Sequence, residues 1–375
     1  MCFVLTSPFA VNGFLLNHFR ILAGHYDITL VVNTLEYSLS DKLDCRVRVV
    51  HLAIARQISP LQDMKVFWRL WRFFRSEKFD LVHSMTPKAG LLAMLAAGLA
   101  GIPCRIHTFT GQVWATRRGL GRYALKCFDK AIVFAASRVL TDSRSQSSFL
   151  EAEGVVKDGE AGVAGPGSIS GVDPCKFSPD DECRKKLRNE LGIPSDAVVF
   201  ISLGRINLEK GILDLIHAFS VLATRYQNAW LIIAGPDEGR LAERIVEEVG
   251  GGLARLRLIP RVVPAADYLA AADVLVLPSY REGFGTVVLE AAAVGLPTIA
   301  SRIYGLTDAV QEQMTGLLFP VGDVAALRFA MEAMLDDPEC RIGMGSAARQ
   351  RALQEFSADV VSLAWLAQYR TVLAA

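Results

Sequence analysis

A strand-like run, Val274 to Leu277, leads through Pro278 and Ser279 into Arg281, Glu282, Gly283, Phe284, Gly285 and Thr286, and Glu290 follows in an apolar segment. Thr286 to Ala293 reads as a short helix stopped by Gly295 and Pro297, so the loop of Gly283 and Gly285 bares backbone N–H groups at a positive helix end. A phosphate would sit well there. Glu290 lies four residues beyond Thr286 on the same helical face, where a carboxylate can accept from ribose hydroxyls. Glu282 precedes the loop and can reach a sugar beyond the phosphates. The plainer reading is a strand-turn-helix with two solvated carboxylates, and the neighbouring motifs weigh against it.

One such neighbour follows a second apolar run ending at Leu203: Gly204, Arg205, Ile206, Asn207, Leu208, Glu209, Lys210 and Gly211, then the periodic segment Ile212 to Leu222. With the Glu-x7-Glu spacing of Glu282 and Glu290, the chain resembles the retaining, GT-B-fold glycosyltransferases of family 4 (glycosyl transferases group 1). It looks closest to the bacterial capsule and O-antigen subgroup, and the resemblance spans nearly the whole chain. It implies an α/β fold of GT-B type, two doubly wound Rossmann-like domains facing a central cleft. It also implies that Glu282 contacts the donor sugar, Glu290 the ribose, and Arg205 and Lys210 the nucleotide diphosphate. Glu282, Arg205 and Lys210 are then the catalytic set, and Gly283, Phe284, Gly285 and Thr286 complete the donor loop. The physical need is plain: when a glycosyl phosphate bond breaks, negative charge grows on the leaving diphosphate, and fixed cations lower that barrier. No Asp-x-Asp occurs in the chain, which fits departure without a metal. No cofactor is expected, since the nucleotide-sugar is itself a substrate.

Three further stretches are candidate contacts. Asn12 and Gly13 follow the first strand, and a glycine loop there lets backbone approach the donor phosphates, as similar enzymes do; an ordinary strand-helix turn is the alternative. In Ile106, His107, Thr108, Phe109, Thr110, Gly111, Gln112, the family usually has a His directly before the Gly, where Thr110 stands here. Thr110 and Gln112 could bond a sugar or acceptor hydroxyl, while His107, within the strand, reads rather as a core residue. Lys88, after the strand ending at His83, suits an anionic acceptor such as a lipid diphosphate.

The elements that must hold these residues alternate along the chain. Phe3–Leu5, Ile28–Val32, Val47–Leu52, Leu81–His83, Arg105–Thr108 and Arg138–Thr141 read as strands of one parallel sheet. A second set runs Val198–Leu203, Leu231–Ala234, Leu256–Ile259, Val274–Leu277, Thr298–Ala300 and Gly316–Phe319. The Gly-, Ser- and Pro-rich stretch Gly154 to Pro179 reads as the linker. A length of 375 residues suits two domains. Residues 1–175 are assigned to acceptor binding, with a last helix near 357–375 packing back onto them, and residues 176–356 to the nucleotide-sugar donor.

The net charge of +1 conceals an asymmetry, since residues 1–150 carry nineteen Lys and Arg against nine Asp and Glu. Such a basic half faces something anionic. Its densest stretch, 64–78, interleaves Phe67, Trp68, Leu70, Trp71, Phe73 and Phe74 with Lys65, Arg69, Arg72, Arg75 and Lys78. At helical spacing it suits the headgroup layer of an anionic bilayer, or else packs its aromatics into the core. No nucleic-acid motif accompanies the charge. Ala89 to Cys104 is uncharged but shorter than the roughly 20 residues that span a bilayer. Seven scattered Cys without metal spacing fit a reducing compartment, and no cleavable signal is legible at Met1. The expected location is cytoplasmic, peripheral on the inner face of the membrane. The expected partners are a nucleotide-sugar (a UDP-sugar) and a polyprenyl-diphosphate-linked glycan. The rivals are an epimerase of the same fold acting on a UDP-sugar and a non-catalytic nucleotide-sugar-binding subunit. A nicotinamide dehydrogenase is disfavoured because no Gly-x-Gly-x-x-Gly follows the first strand.

Overall fold

A computed structural model of the chain describes residues 1–35, 37–55, 59–249, 254–260 and 264–374. The short apolar runs pair in parallel, and the helices between them make the crossovers that parallel neighbours require. The chain divides into two compact units, Met1–Gly171 with the stretch from Ala358 onward, and Val172–Ser357.

The first unit carries β1 (Cys2–Val4), β2 (Thr29–Val32), β3 (Arg48–His51), β4 (Leu81–Ser84), β5 (Cys104–Phe109), β6 (Arg138–Thr141) and β7 (Ala161–Val163). They lie in the order β3-β2-β1-β4-β5-β6-β7. β7 falls inside the stretch read as linker. Its Ala-Gly-Val sequence is short and only half-buried, so no apolar run announces it, and it is held by pairing with β6. One face of the sheet is covered by Leu15, Phe19 and Leu22 together with Val361, Trp365, Leu366 and Tyr369 of the helix Ala358–Ala374. That terminal helix is also fastened by hydrogen bonds. Tyr369 Oη and His83 Nδ1 are 2.7 Å apart, and Ser362 Oγ and His18 Nδ1 are 2.9 Å apart. Both imidazoles are fully buried, and burial holds His18 down to about 3 and His83 well below the usual range. They are neutral core residues.

Gly13 does not lie in a loop. Ser7 accepts from Phe9 N–H, Pro8 takes the first helical position, and helical backbone then runs through a π-helical turn at Val11–Leu15 to the helix Leu16–Leu22. Proline sets the first turn, and Val11, Leu15, Phe19 and Leu22, buried in the core, hold the segment helical despite Gly13. Gly13 is exposed there, and an added Cβ would meet nothing within 4 Å.

The basic aromatic segment forms the helix Pro60–Glu77, and its aromatics are divided between core and surface. Val66, Leu70 and Phe74 are buried, and Phe67, Trp71 and Phe73 pack partly buried against the same cluster. Trp68 remains 47% exposed and Met64 57% exposed. The uncharged helix Pro87–Ala100 buries Ala89, Leu92, Ala93, Met94, Ala96 and Ala97. Among the described residues, no helix is long and apolar enough to cross a membrane.

The second unit carries β8 (Val198–Leu203), β9 (Ala229–Ala234), β10 (Leu256–Ile259), β11 (Val274–Leu277), β12 (Thr298–Ser301) and β13 (Gly316–Phe319), ordered β10-β9-β8-β11-β12-β13. Two apolar clusters sandwich this sheet, one led by Val199, Ile201, Ile232 and Leu275, the other by Phe200, Phe219, Ile233 and Val276. Alternate residues of each strand serve alternate faces. The strand order reverses direction between β8 and β11, which pair through Val274 with Phe200 and Leu275 with Ile201. Sheets of this type hold ligands beyond the carboxyl ends of the strands at that reversal.

Candidate active site

The two loops that leave this reversal point are the two that the sequence marks as phosphate-binding. After β8, Gly204 and Arg205 lead to Asn207, whose side chain accepts from Lys210 N–H at 3.1 Å and closes a 3₁₀ turn over Leu208–Lys210. Gly211 ends the turn at φ +65°, and a Cβ on it would lie 2.0 Å from the carbonyl oxygen of Pro278 in the loop after β11. Only glycine permits that contact.

The loops are also laced by side chains. Lys210 Nζ forms an ion pair with Glu282 Oε1, and Ser279 Oγ donates to the same oxygen at 2.7 Å. Arg281 pairs with Glu209 at 2.6 Å, and Tyr280 N–H donates to the Glu209 carbonyl at 2.8 Å. Tyr280 Oη donates to Asp214 at 2.7 Å, which pushes the phenol up to about 12. Lys210 and Glu282 are therefore adjacent, although 72 residues separate them in the chain. Arg205, by contrast, reaches Glu238 at 2.8 Å in an exposed pair of the kind that contributes little to stability. An arriving anion could displace that carboxylate at small cost.

The loop after β11 continues into the helix Thr286–Val294, whose N-cap is Gly285 at φ +76°, with no side-chain cap. Val288 N–H donates back to the Gly285 carbonyl at 2.8 Å, and the N–H groups ahead of it carry the positive end of the helix dipole. Phe284 departs from its expected role as a donor contact. Its ring is 3% exposed and lies 5.4 Å from Phe356 in the core, so only its backbone can face a ligand. It reads as part of the loop by position, but its apolar side chain is drawn inward.

Glu290, half-buried on this helix, is raised to about 7 by burial, with Lys176 acting in the opposite direction. Two consequences follow from the sign. Folding favours the protonated form, so this group's contribution to stability is fully present below about 4.5 and is lost as pH rises through about 7. If the ionised carboxylate holds a ribose, nucleotide affinity should rise with pH up to about 7 and level off above it. The slope should approach about tenfold per pH unit below that point. Calorimetric titration with UDP across the range measures this. A Glu290→Gln variant should flatten the profile, and an unchanged slope would remove Glu290 from the site.

The candidates of the first unit fall into different surroundings. Lys88 begins the helix Pro87–Ala100 and pairs with Asp63 at 2.6 Å. His107 is fully buried in β5, with Nδ1 2.8 Å from Ser84 Oγ, and burial holds it down to about 3. Its expected weak role in sugar binding gives way to a core role. Thr110 Oγ1 donates to the Met85 carbonyl at 3.2 Å, and the buried Gln112 accepts from Gln146 Nε2 at 3.3 Å. Ser279, Glu209, Arg281 and Asn207, which shape these two loops, carry no spacing signal of their own: Arg281 and Glu209 meet across the loops, Asn207 bonds backbone, and Ser279 meets Glu282 within its own loop. Among the described residues no group of His, Cys, Asp and Glu is assembled that could hold a metal ion.

Comparison with known proteins bears on the family and the fold. Residues 184–351 match the family model described as glycosyl transferases group 1, and residues 20–162 match a glycosyl transferase 4-like domain. A capsular polysaccharide biosynthesis glycosyltransferase, CapM, of Staphylococcus aureus is 28% identical over 86% of this chain and 84% of its own. A UDP-Gal:alpha-D-GlcNAc-diphosphoundecaprenol alpha-1,3-galactosyltransferase of Escherichia coli is 28% identical over 91% and 88%. A D-inositol 3-phosphate glycosyltransferase of Streptomyces avermitilis is 30% identical over 80% and 69%. The fold is shared with sucrose-phosphate synthase from Thermosynechococcus elongatus, at TM-score 0.82, 22% identity and coverage of 100% and 98%. It is shared too with Anabaena HepE, solved with UDP and glucose, at TM-score 0.78, 19% identity and coverage of 99% and 98%. The GT-B architecture and these matches place the chain in one family: it is a glycosyltransferase of group 1.

Proposed function

We propose that the chain is a retaining, metal-independent transferase that moves a hexose or N-acetylhexosamine from a UDP-sugar to a glycan carried on a polyprenyl diphosphate, in the synthesis of a surface polysaccharide. The observation that carries this reading is the placement of Lys210 against Glu282 at the β8/β11 reversal, beside an uncapped helix end. The diphosphate lies on that helix end between Arg205 and Lys210, Glu282 positions the donor sugar, and Glu290 holds the ribose. The acceptor hydroxyl approaches from the side on which the diphosphate departs. The bond from the anomeric carbon to phosphate oxygen breaks as the bond to the acceptor oxygen forms, and a leaving phosphate oxygen takes the acceptor proton. Arg205 and Lys210 offset the growing charge, and that effect is the main electrostatic term. The names of the Staphylococcus aureus and Escherichia coli relatives support the polymer and the carrier, and the HepE complex supports the donor.

The first unit then works at the cytoplasmic face of the membrane. Support comes from apolar side chains left on its surface beside cations. On the helix Pro60–Glu77 these are Met64 and Trp68 beside Lys65, Arg69 and Arg72; on the helix Gly119–Ala135 they are Leu120, Tyr123 and Phe134 beside Lys130. Such a surface suits an anionic headgroup layer.

One assay tests the whole reading: UDP- and GDP-sugars are supplied in excess chelator to the protein with lipid-linked glycans extracted into phosphatidylglycerol or phosphatidylcholine vesicles. Transfer with the donor's anomeric configuration kept, from a UDP-sugar, in chelator, and faster on the anionic vesicles, is the expected result. A strict divalent-metal requirement or an inverted product would overturn the mechanism. A new isomeric UDP-sugar formed from donor alone would mark an epimerase.

A further inference from the structure

Asp142 directly follows β6, one position beyond the last registered pair, Phe109 with Thr141. It therefore stands at the carboxyl edge of the first unit's sheet, where such sheets take ligands. Its backbone is pinned on both sides. The N–H donates to Gln146 Oε1 at 2.8 Å, and the carbonyl accepts from Ser168 N–H at 2.7 Å. The next residue, Ser143, supplies the cap of the helix Arg144–Ala152, so the Asp142 carboxyl is not needed there. That carboxyl is nevertheless 4% exposed, and its Oδ1 is buried with no hydrogen-bond partner. Leaving a buried acceptor unmet costs about 1–3 kcal/mol, so such a group calls for a partner from outside the fold.

The neighbourhood indicates what that partner is. Gln146 ties the Asp142 backbone to Gln112, since its Nε2 donates to Gln112 Oε1 at 3.3 Å. At the same edge Thr86 Oγ1, two residues past β4, is buried and likewise without a partner. Burial alone raises the Asp142 carboxyl, and no cation contributes. Lys88, two residues from Thr86, is already paired with Asp63 at 2.6 Å, so a phosphate or other anion gains no ready countercharge there. A neutral polyol, which supplies hydroxyl donors and brings no charge, fits the set.

Resting on the glycosyltransferase reading, we propose that Asp142, with Gln112 and Thr86, forms a hydroxyl-binding subsite for a neutral pyranose of the acceptor glycan. Asp142 takes a ring hydroxyl on the otherwise unmet oxygen, and Gln112 and Thr86 flank it. The subsite sets which acceptor sugar is taken.

The test uses the full chain and saturation-transfer NMR with octyl glycosides of glucose, galactose and N-acetylglucosamine as probes, each with UDP present in the same tube. Wild type should saturate the ring protons of at least one glycoside as well as UDP. Asp142→Leu fills the space without the polar group. It is expected to melt no lower than wild type, to bind UDP equally, and to lose glycoside affinity by about tenfold or more. Asp142→Asn and Gln112→Ala provide the same readout should the Leu variant fail to fold. Unchanged glycoside affinity in the folded variants, or no glycoside saturation in wild type, would overturn the proposal. Loss of UDP saturation from wild type would instead sink the donor reading, which the glycoside signal reports separately.

Discussion

Replacing Lys210 with alanine is expected to lower kcat/KM about a thousandfold, roughly 4 kcal/mol of transition-state stabilisation, with little change in melting temperature. The effect is large if, as proposed, Lys210 is the cation that meets the leaving oxygen where charge develops. The fold survives because the pair, with side-chain exposures of 19% and 11%, lies in the loops outside both apolar clusters, and Glu282 keeps its hydrogen bond from Ser279. Glu282→Ala should be comparably damaging, since Lys210 then loses the carboxylate that fixes its direction. The double variant should fall far short of the product of the two losses, as expected for groups acting as one unit. Initial rates with saturating acceptor measure all three. Wild-type-like turnover in Lys210→Ala, or strict additivity in the double variant, would show that the pair is not the site of leaving-group stabilisation.

Gly211→Ala is expected to reduce both stability and transfer. A left-handed conformation costs a non-glycine residue about 1–2 kcal/mol. The new methyl would also lie 2.0 Å from the Pro278 carbonyl oxygen, which is rigid backbone and cannot give way as a side chain would. The loops after β8 and β11 must separate, and Lys210 and Glu282 separate with them. A loss of about 3 kcal/mol or more places it among strongly destabilising substitutions. Thermal denaturation should show a fall of about 6–12 °C. Gly13→Ala is the natural contrast: its backbone is helical and nothing lies within 4 Å of the added methyl. Stability should hold or rise slightly. A Gly211→Ala protein that melts with wild type would mean that the two loops do not meet as described.

The sequence alone determined the architecture and the positions of the two glycine-bearing loops after β8 and β11. Buried parallel strands are nearly continuous apolar runs, and β8 and β11 stand out by that pattern to the residue. Glycines and charged groups at fixed offsets then marked the loops after β8 and β11. What could not be read there are relations between distant residues. Strand order decided that those two loops share one reversal point, and Gly211 decided that they touch, because only a missing side chain lets two backbones approach so closely. Apolar demand in the core decided that Phe284 turns inward and that the aromatics between Val66 and Phe74 divide between interior and surface. The unmet carboxyl of Asp142 is of the same kind. A sequence names a carboxylate, but whether it has a partner depends on every group that folding brings against it.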